Sequence, residues 1–143
     1  MKTKKNMIIT SLIVLVLAYV FAASGWSQTS YAVDIKSKEG IGSYLVDAKG
    51  MTLYNFKKDS QGKSTCMGEC GGMWPAFFTA NITVPPGLKA SDFGTITRND
   101  GKKQTTYQGI PLYYFTDDRK PGDTHGNGVS NIWFPATLLG VSW

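Results

Sequence analysis

The feature that most constrains this chain is an internal repeat with a fixed offset of 59 residues. The segment Gly50–Asp59 matches Gly109–Asp118, and a glycine, a leucine, a tyrosine, a phenylalanine and an aspartate recur at equivalent positions. The same offset carries Trp74 onto Trp133. So many identities at one spacing indicate a duplicated structural unit. Two copies are too few for a solenoid, so we expect one domain in which each copy covers the apolar face of the other.

The first copy has the pattern of a β-hairpin. Strands are predicted over residues 43–46 and 51–56, separated by a turn that ends in glycine. Alternation along the second strand places Tyr54 and Phe56 on one face and Leu53 on the other. Paired aromatic side chains bury a large area, so we expect both aromatics in the core.

The second copy repeats this pattern and adds one more turn. Strands are predicted over 94–98, 102–107 and 110–115, joined by Asn99-Asp100-Gly101 and by Gln108-Gly109. Aromatic residues make up 13% of the chain and glycines number 16, which favours short strands and tight turns. The predicted fold is therefore mainly β.

The predicted organisation is a single small domain behind an export segment. Three lysines precede Met7–Ala23, a run of 17 residues without a charge, and small residues follow at the spacing that signal peptidase recognises. This N-terminal hydrophobic helix, within residues 1–32, is either a cleaved signal peptide or an uncleaved membrane anchor, because it reaches the lower limit for a span. Residues 33–143 form the exported domain, with two pseudo-equivalent β-hairpin repeats at about 43–79 and 102–138.

The charge of the expected domain excludes a nucleic-acid partner. The whole chain has a formal net charge of +5, but from Val33 onward 12 Lys and Arg face 10 Asp and Glu. A net charge of +2 provides no electrostatic footprint for nucleic acid. The expected location is the periplasm, the outer face of the cytoplasmic membrane or the extracellular space, with membrane contact through Met7–Ala23 if that segment is retained.

The recurrence of tyrosine, phenylalanine and aspartate in both copies makes the chain resemble a known family. The chain is similar to bacterial secreted-repeat proteins, many of them predicted lipoproteins, that carry a Tyr-x-(Phe/Trp/Tyr)-x-x-Asp motif. The resemblance implies an exported location and a two-repeat architecture, and it assigns no activity. No cysteine follows the apolar run, so lipid attachment is not expected. The motif occurs twice, as Tyr54, Phe56, Asp59 and as Tyr113, Phe115, Asp118, and a Cys-containing loop and Trp74-Pro75 accompany the first copy.

The two cysteines, Cys66 and Cys70, are four residues apart in an exported domain. An even number of cysteines in an oxidising compartment predicts a disulfide, which would stiffen a glycine-rich loop without regular structure. The alternative is a copper or redox site, because the soft ligands Cys66, Cys70 and Met73 cluster and the offset of 59 maps Cys66 onto His125. No cofactor is expected, with copper as the alternative.

The remaining candidate residues favour structural roles. Asp59 and Asp118 end the Tyr-x-Phe strands, where a carboxylate commonly accepts N–H groups of the following loop. A calcium site is a weaker alternative, because its candidate ligands lack the EF-hand spacing. Those ligands are Asp117, Asp118, Asp123 and Asn127. The expected framework consists of the six aromatic residues Tyr54, Phe56, Trp74, Tyr113, Phe115 and Trp133.

The sequence contains none of the common catalytic motifs. It has a single histidine and no recognisable nucleophile, so we expect that the protein is not an enzyme. The predicted function is a non-catalytic binding or structural role at the cell envelope, or an accessory subunit of a membrane complex. The alternatives are a copper-binding or redox accessory protein using Cys66, Cys70 and His125 and, more weakly, a hydrolase.

The export segment generates the first testable prediction. Intact-mass spectrometry of the protein from its native host should show a chain that starts near Gly25 or Val33, because the small residues there suit signal peptidase. A native chain that retains Met1–Ala23 would contradict cleavage and support the anchor.

Overall fold

A computed structural model of the protein describes residues 29–140. The predicted hydrophobic helix at Met7–Ala23 lies outside these residues. No helix between residues 29 and 140 has the length and apolar character needed to cross a membrane. The elements in this range are β1 Val33–Lys38, β2 Gly42–Asp47, β3 Tyr54–Phe56, α1 Glu69–Met73, β4 Phe93–Thr97, β5 Lys103–Tyr107, β6 Ile110–Pro111 and β7 Trp133–Pro135, with 3₁₀ turns at Ala90–Asp92 and Val129–Asn131.

Each repeat begins with an antiparallel hairpin, β1–β2 in the first and β4–β5 in the second. Val33 pairs with Asp47, and Phe93 pairs with Tyr107, so the two hairpins share one register. The strands predicted at 94–98 and 102–107 are confirmed within a residue or two. The sequence analysis did not predict strand β1. This strand lies at an edge, only Val33 in it is fully buried, and its hydrophobic pattern is therefore weak.

The predicted turn at Gln108-Gly109 is confirmed as a two-residue hairpin loop between β5 and β6. Both residues have positive φ, at 49° and 82°, which is the conformation of a type I′ turn. In the first repeat the turn that ends at Gly50 is held by Asp47. One carboxylate oxygen of Asp47 accepts the N–H groups of Lys49 and Met51, each at 2.9 Å.

The Tyr-x-Phe strand of the first repeat pairs with the second repeat. The Leu53 N–H still donates to the Leu45 carbonyl at 3.0 Å, as the predicted hairpin requires. Beyond that point β3 pairs antiparallel with β7, with Tyr54 opposite Pro135 and Phe56 opposite Trp133. The prediction of one continuous hairpin strand over 51–56 is therefore wrong in its second half. Alternation identifies a strand, but it does not identify the strand's partner.

The second repeat makes the reciprocal exchange. Tyr113 forms a β-bridge with Ala76, which belongs to the first repeat. The Phe77 N–H donates to the Leu112 carbonyl at 2.9 Å, and at the equivalent positions the Ala136 N–H donates to the Leu53 carbonyl at 2.8 Å. Each repeat therefore supplies a segment that pairs with the other repeat, although only β7 is a regular strand. The predicted strand over 110–115 is regular only at Ile110–Pro111, and beyond it Tyr113 makes isolated bridges.

The two faces of the exchanged strands build two cores, as the alternation predicted. One core is mainly aliphatic and includes the fully buried Leu53 and Leu112. The other core is aromatic and lies on the opposite face. Its buried members are Tyr54, Phe56, Cys66, Trp74, Tyr113, Phe115 and Trp133.

The cysteine-containing loop that leads to Trp74 includes regular structure, which the sequence analysis did not predict. Residues Glu69–Met73 form the short helix α1, and its end is closed by a hydrogen bond from the Trp74 N–H to the Cys70 carbonyl at 2.8 Å. Two consecutive glycines made a helix a poor prediction. The helical turn forms despite that low propensity and leads directly into Trp74, which is buried in the aromatic core.

The buried indoles generate the second prediction. Trp74→Ala and Trp133→Ala should each lower the free energy of unfolding by about 3–5 kcal/mol, because each removes a large buried aromatic side chain. Urea titration followed by circular dichroism measures the loss.

The control is Phe78→Ala, since Phe78 is 42% exposed. That variant should lose far less stability than either tryptophan variant. An unchanged unfolding midpoint for Trp74→Ala or Trp133→Ala would refute the role of the aromatic core.

Candidate functional site

The two copies of the Tyr-x-Phe-x-x-Asp motif meet at the centre of the domain. The Tyr54 N–H donates to the Tyr113 carbonyl at 2.8 Å, and the Tyr113 N–H donates to the Tyr54 carbonyl at 3.0 Å. This reciprocal pair places a pseudo-twofold axis between the two tyrosines. Both side chains are fully buried.

Each motif tyrosine is hydrogen-bonded to the aspartate of the other copy. The Tyr54 hydroxyl donates to Asp118 Oδ2 at 2.7 Å, and the Tyr113 hydroxyl donates to Asp59 Oδ2 at 2.6 Å. We call these two bonds the crossed Tyr–Asp pairs. Sequence reasoning missed them. The available signal was the recurrence of a buried tyrosine and an aspartate at fixed spacing, but that signal does not say which copies pair.

The second oxygen of each aspartate holds the loop that follows its own strand. Asp59 Oδ1 accepts the N–H and the hydroxyl of Thr65, both at 2.8 Å. Asp118 Oδ1 accepts the N–H of His125 at 2.9 Å. Each carboxylate therefore ties the loop of one repeat to the tyrosine of the other.

Burial governs the ionisation of these groups. It raises the pKa of the Tyr54 and Tyr113 hydroxyls well above the ordinary value for tyrosine, and the adjacent carboxylates add to the effect. Both phenols therefore remain protonated donors. Burial also raises the pKa of Asp59, and the hydrogen bonds from Tyr113 and Thr65 oppose that rise.

Four aromatic rings form a stacked column next to the crossed Tyr–Asp pairs. The rings of Phe56 and Trp133 lie 4.1 Å apart, those of Trp133 and Trp74 lie 3.8 Å apart, and those of Trp74 and Phe115 lie 4.2 Å apart. The column therefore alternates between the repeats. Such contacts contribute about 0.5–1.5 kcal/mol each beyond the burial of area.

The loop of the second repeat fits closely against this aromatic core at Gly126. The Gly126 N–H donates to the Tyr54 hydroxyl at 3.2 Å. A Cβ atom at this position would lie 2.7 Å from the Tyr54 ring and 2.8 Å from the Trp74 ring. Glycine is therefore required here by the close approach of the backbone.

In the first repeat the equivalent loop is closed by a disulfide. Cys66 and Cys70 are bonded to each other, with their Cα atoms 5.2 Å apart, in agreement with the prediction. Cys66 is fully buried against the aromatic core. Copper binding by cysteine requires thiolates, which a disulfide does not provide.

The other candidate copper ligands lie near the surface. The His125 side chain is 61% exposed, and its Nδ1 lies 3.2 Å from the Asp117 carbonyl and 3.4 Å from Asp118 Oδ1. Met73 is 53% exposed at the end of α1. Asp123, a candidate calcium ligand, accepts the N–H groups of Arg119 and Lys120, which hold its pKa below the usual range. Within residues 29–140, no three His, Cys, Asp or Glu side chains converge as a metal site.

The fold and the crossed motif define a class of protein, an exchanged two-repeat β domain. The comparison with known families agrees with this class. Residues 37–77 and 94–137 match a family described as a secreted repeat of unknown function. The match covers more than half of the chain, so the protein belongs to this family.

Membership of this family makes the protein an exported one. The first matched segment includes β2 and β3 with the first copy of the motif, and the second includes β5, β6 and β7 with the second copy. No curated protein and no solved structure matches the chain.

The crossed Tyr–Asp pairs generate the third prediction. Tyr113→Phe should lower the free energy of unfolding by about 1–3 kcal/mol, because it leaves the buried Asp59 carboxylate without one donor. A double-mutant cycle of Tyr113→Phe with Asp59→Asn, measured by urea unfolding, should give a coupling energy of at least about 0.5 kcal/mol.

A within-repeat cycle provides the matched control. Tyr54 and Asp59, both in the described part of the chain, are not hydrogen-bonded to each other. Tyr54→Phe with Asp59→Asn should therefore show weaker coupling than the crossed pair. Stronger coupling within a repeat than across the repeats would overturn the crossed arrangement.

Proposed function

We propose that this exported protein is a non-catalytic component of the cell envelope that acts as an accessory subunit of a membrane complex. One observation carries the proposal. The reactive groups of the family motif are used inside the fold, where the crossed Tyr–Asp pairs join the two repeats. Because the motif residues stabilise the fold, we expect the molecular function to reside at the surface of the domain.

The ionisation of the motif residues supports a structural role for them. Tyr54 and Tyr113 have raised pKa values and donate to carboxylates, so neither phenol is positioned to act as a nucleophile or a base at neutral pH. Asp59 and Asp118 each accept hydrogen bonds at both oxygens. We therefore infer that the domain acts without catalysis and needs no cofactor.

The way in which the loops are held supports a binding role. Asp59 and the Cys66–Cys70 disulfide hold the loop of the first repeat, and Asp118 holds the loop of the second. Surface loops positioned by a rigid scaffold are where proteins commonly bind partners. If Met7–Ala23 is retained as a membrane anchor, it keeps the domain next to the membrane, where these loops could bind a membrane complex.

Site-specific photo-crosslinking in the native host tests this proposal and is the fourth prediction. A photo-reactive residue in the full chain at Met73, Phe78 or Leu139, which are exposed, should yield a discrete adduct with an envelope protein from at least one position. The matched control is Phe77, which is next to Phe78 but only 3% exposed, and it should yield none.

Two outcomes would contradict the proposal. The first is the absence of an adduct at all three exposed positions. The second is an enzymatic activity that survives purification and is lost on a single substitution.

The copper alternative has its own decisive measurement. Protein purified without reductant should contain no free thiol, because Cys66 and Cys70 are bonded to each other. Two reactive thiols that become protected by added Cu(I), together with stoichiometric copper in the purified protein, would instead favour the copper-binding role with Cys66, Cys70 and His125.

A further inference from the structure

A groove lies between the disulfide loop of the first repeat and the β4–β5 hairpin of the second. Its volume is about 390 Å³, within the range of small-ligand sites. The groove is lined from the disulfide loop by Gly68, Gly71 and Gly72. Arg98, Lys102 and Lys103 line it from the hairpin. We call this space the basic groove.

Arg98 forms the buried part of the basic groove. Its side chain is only 3% exposed, and its Nη2 donates to the Cys66 carbonyl at 2.7 Å and lies 3.2 Å from Asp100 Oδ2. Arg98 Nε is buried and has no hydrogen-bond partner among residues 29–140. An unpaired buried N–H is costly, and Arg98 is one of the residues that line the basic groove.

The groove carries an excess of positive charge. Asp100 is the one carboxylate among its lining residues, and it pairs with Arg98. Neither Lys102 nor Lys103 has a carboxylate within ion-pair distance in the described part of the chain. Two ammonium groups therefore remain available for an anion.

The pseudo-symmetry of the domain supplies an internal comparison. Lys38 occupies the position of Arg98 in the first repeat, and its Nζ reaches the loop of the other repeat at Thr124 Oγ1, 2.8 Å away. The fold therefore needs one cation at this place to hold a loop. In the register of the two hairpins, where equivalent residues are 60 apart, Gly42 and Ser43 occupy the positions of Lys102 and Lys103. The first repeat therefore folds without the additional charges.

The glycine side of the groove leaves room beside the guanidinium. A Cβ atom at Gly72 would meet nothing within 4 Å, so packing does not require a glycine there. A Cβ atom at Gly71 would lie 3.8 Å from Arg98 Nη2. The glycines therefore line this side of the groove without side chains that would fill it.

We propose that the basic groove binds a phosphate-type dianion, with Arg98 as the buried anchor and Lys102 and Lys103 as the flanking charges. Arginine and lysine together suit a phosphate group, because the guanidinium donates in a fixed geometry and the ammonium groups neutralise its charge. Two unpaired ammonium groups match two negative charges. The site does not depend on whether the domain belongs to a membrane complex.

Isothermal titration calorimetry with inorganic phosphate tests this site and is the fifth prediction. The full chain should bind one phosphate, and Lys102→Gln/Lys103→Gln should weaken the affinity by about tenfold or more. These lysines are exposed, so the variant should retain its circular dichroism spectrum and melting temperature. The control is Lys58→Gln/Lys89→Gln, which has the same net charge as the groove variant but replaces exposed lysines outside the groove. This control should bind phosphate like the wild type.

A second arm identifies the source of the phosphate. Phosphatidylcholine vesicles with and without phosphatidic acid are mixed with the full chain in a flotation assay. Binding of phosphatidic acid vesicles without binding of inorganic phosphate, lost in the groove variant, would support the site and assign it to a lipid headgroup. Equal loss of binding in the groove and control variants, or binding of neither probe by the wild type, would overturn the proposal.

Discussion

The hydrogen bond from a tyrosine of one repeat to the aspartate of the other is the interaction on which this structure depends. A buried carboxylate is tolerated only when donors satisfy it, and Asp59 receives one from Tyr113 and two from Thr65. The same carboxylate therefore joins a strand of the second repeat to a loop of the first. Because the equivalent bond joins Tyr54 to Asp118, each repeat donates one such hydrogen bond to the other and accepts one from it.

The exchange of strands meets a second constraint, the burial of the aromatic side chains. An isolated two-stranded hairpin is only marginally stable, and β3 is three residues long with both of its aromatic side chains buried. Pairing with β7 places Phe56 on Trp133 and continues the column to Trp74 and Phe115. Since consecutive rings come from different repeats, neither repeat contains a complete core.

The two repeats are nearly symmetric at the motif positions, whereas the buried side chains of β2 and β5 and the surface of the domain differ between them. Leu53 and Leu112 are both fully buried, and the motif tyrosines have equivalent partners. Outside the motif, the buried Cys66 corresponds to the exposed His125, and Lys102 and Lys103 correspond in the hairpin register to a glycine and a serine. A duplicated core provides the scaffold, so the differences between the copies are where a specific function of the protein is expected.

The local features of this protein were predictable from its amino-acid sequence alone. The Gln108-Gly109 turn was predictable because a two-residue hairpin loop needs residues that accept positive φ, and the Cys66–Cys70 disulfide because the bond spans a single turn. The hydrogen-bond partners of the motif residues, in contrast, depend on the tertiary fold. Tyr54 is 5 residues from Asp59 and 64 from Asp118, and it binds the distant one. The repeat offers each motif tyrosine two chemically identical aspartates, and the choice between them depends on which strands exchange to bury the aromatic rings.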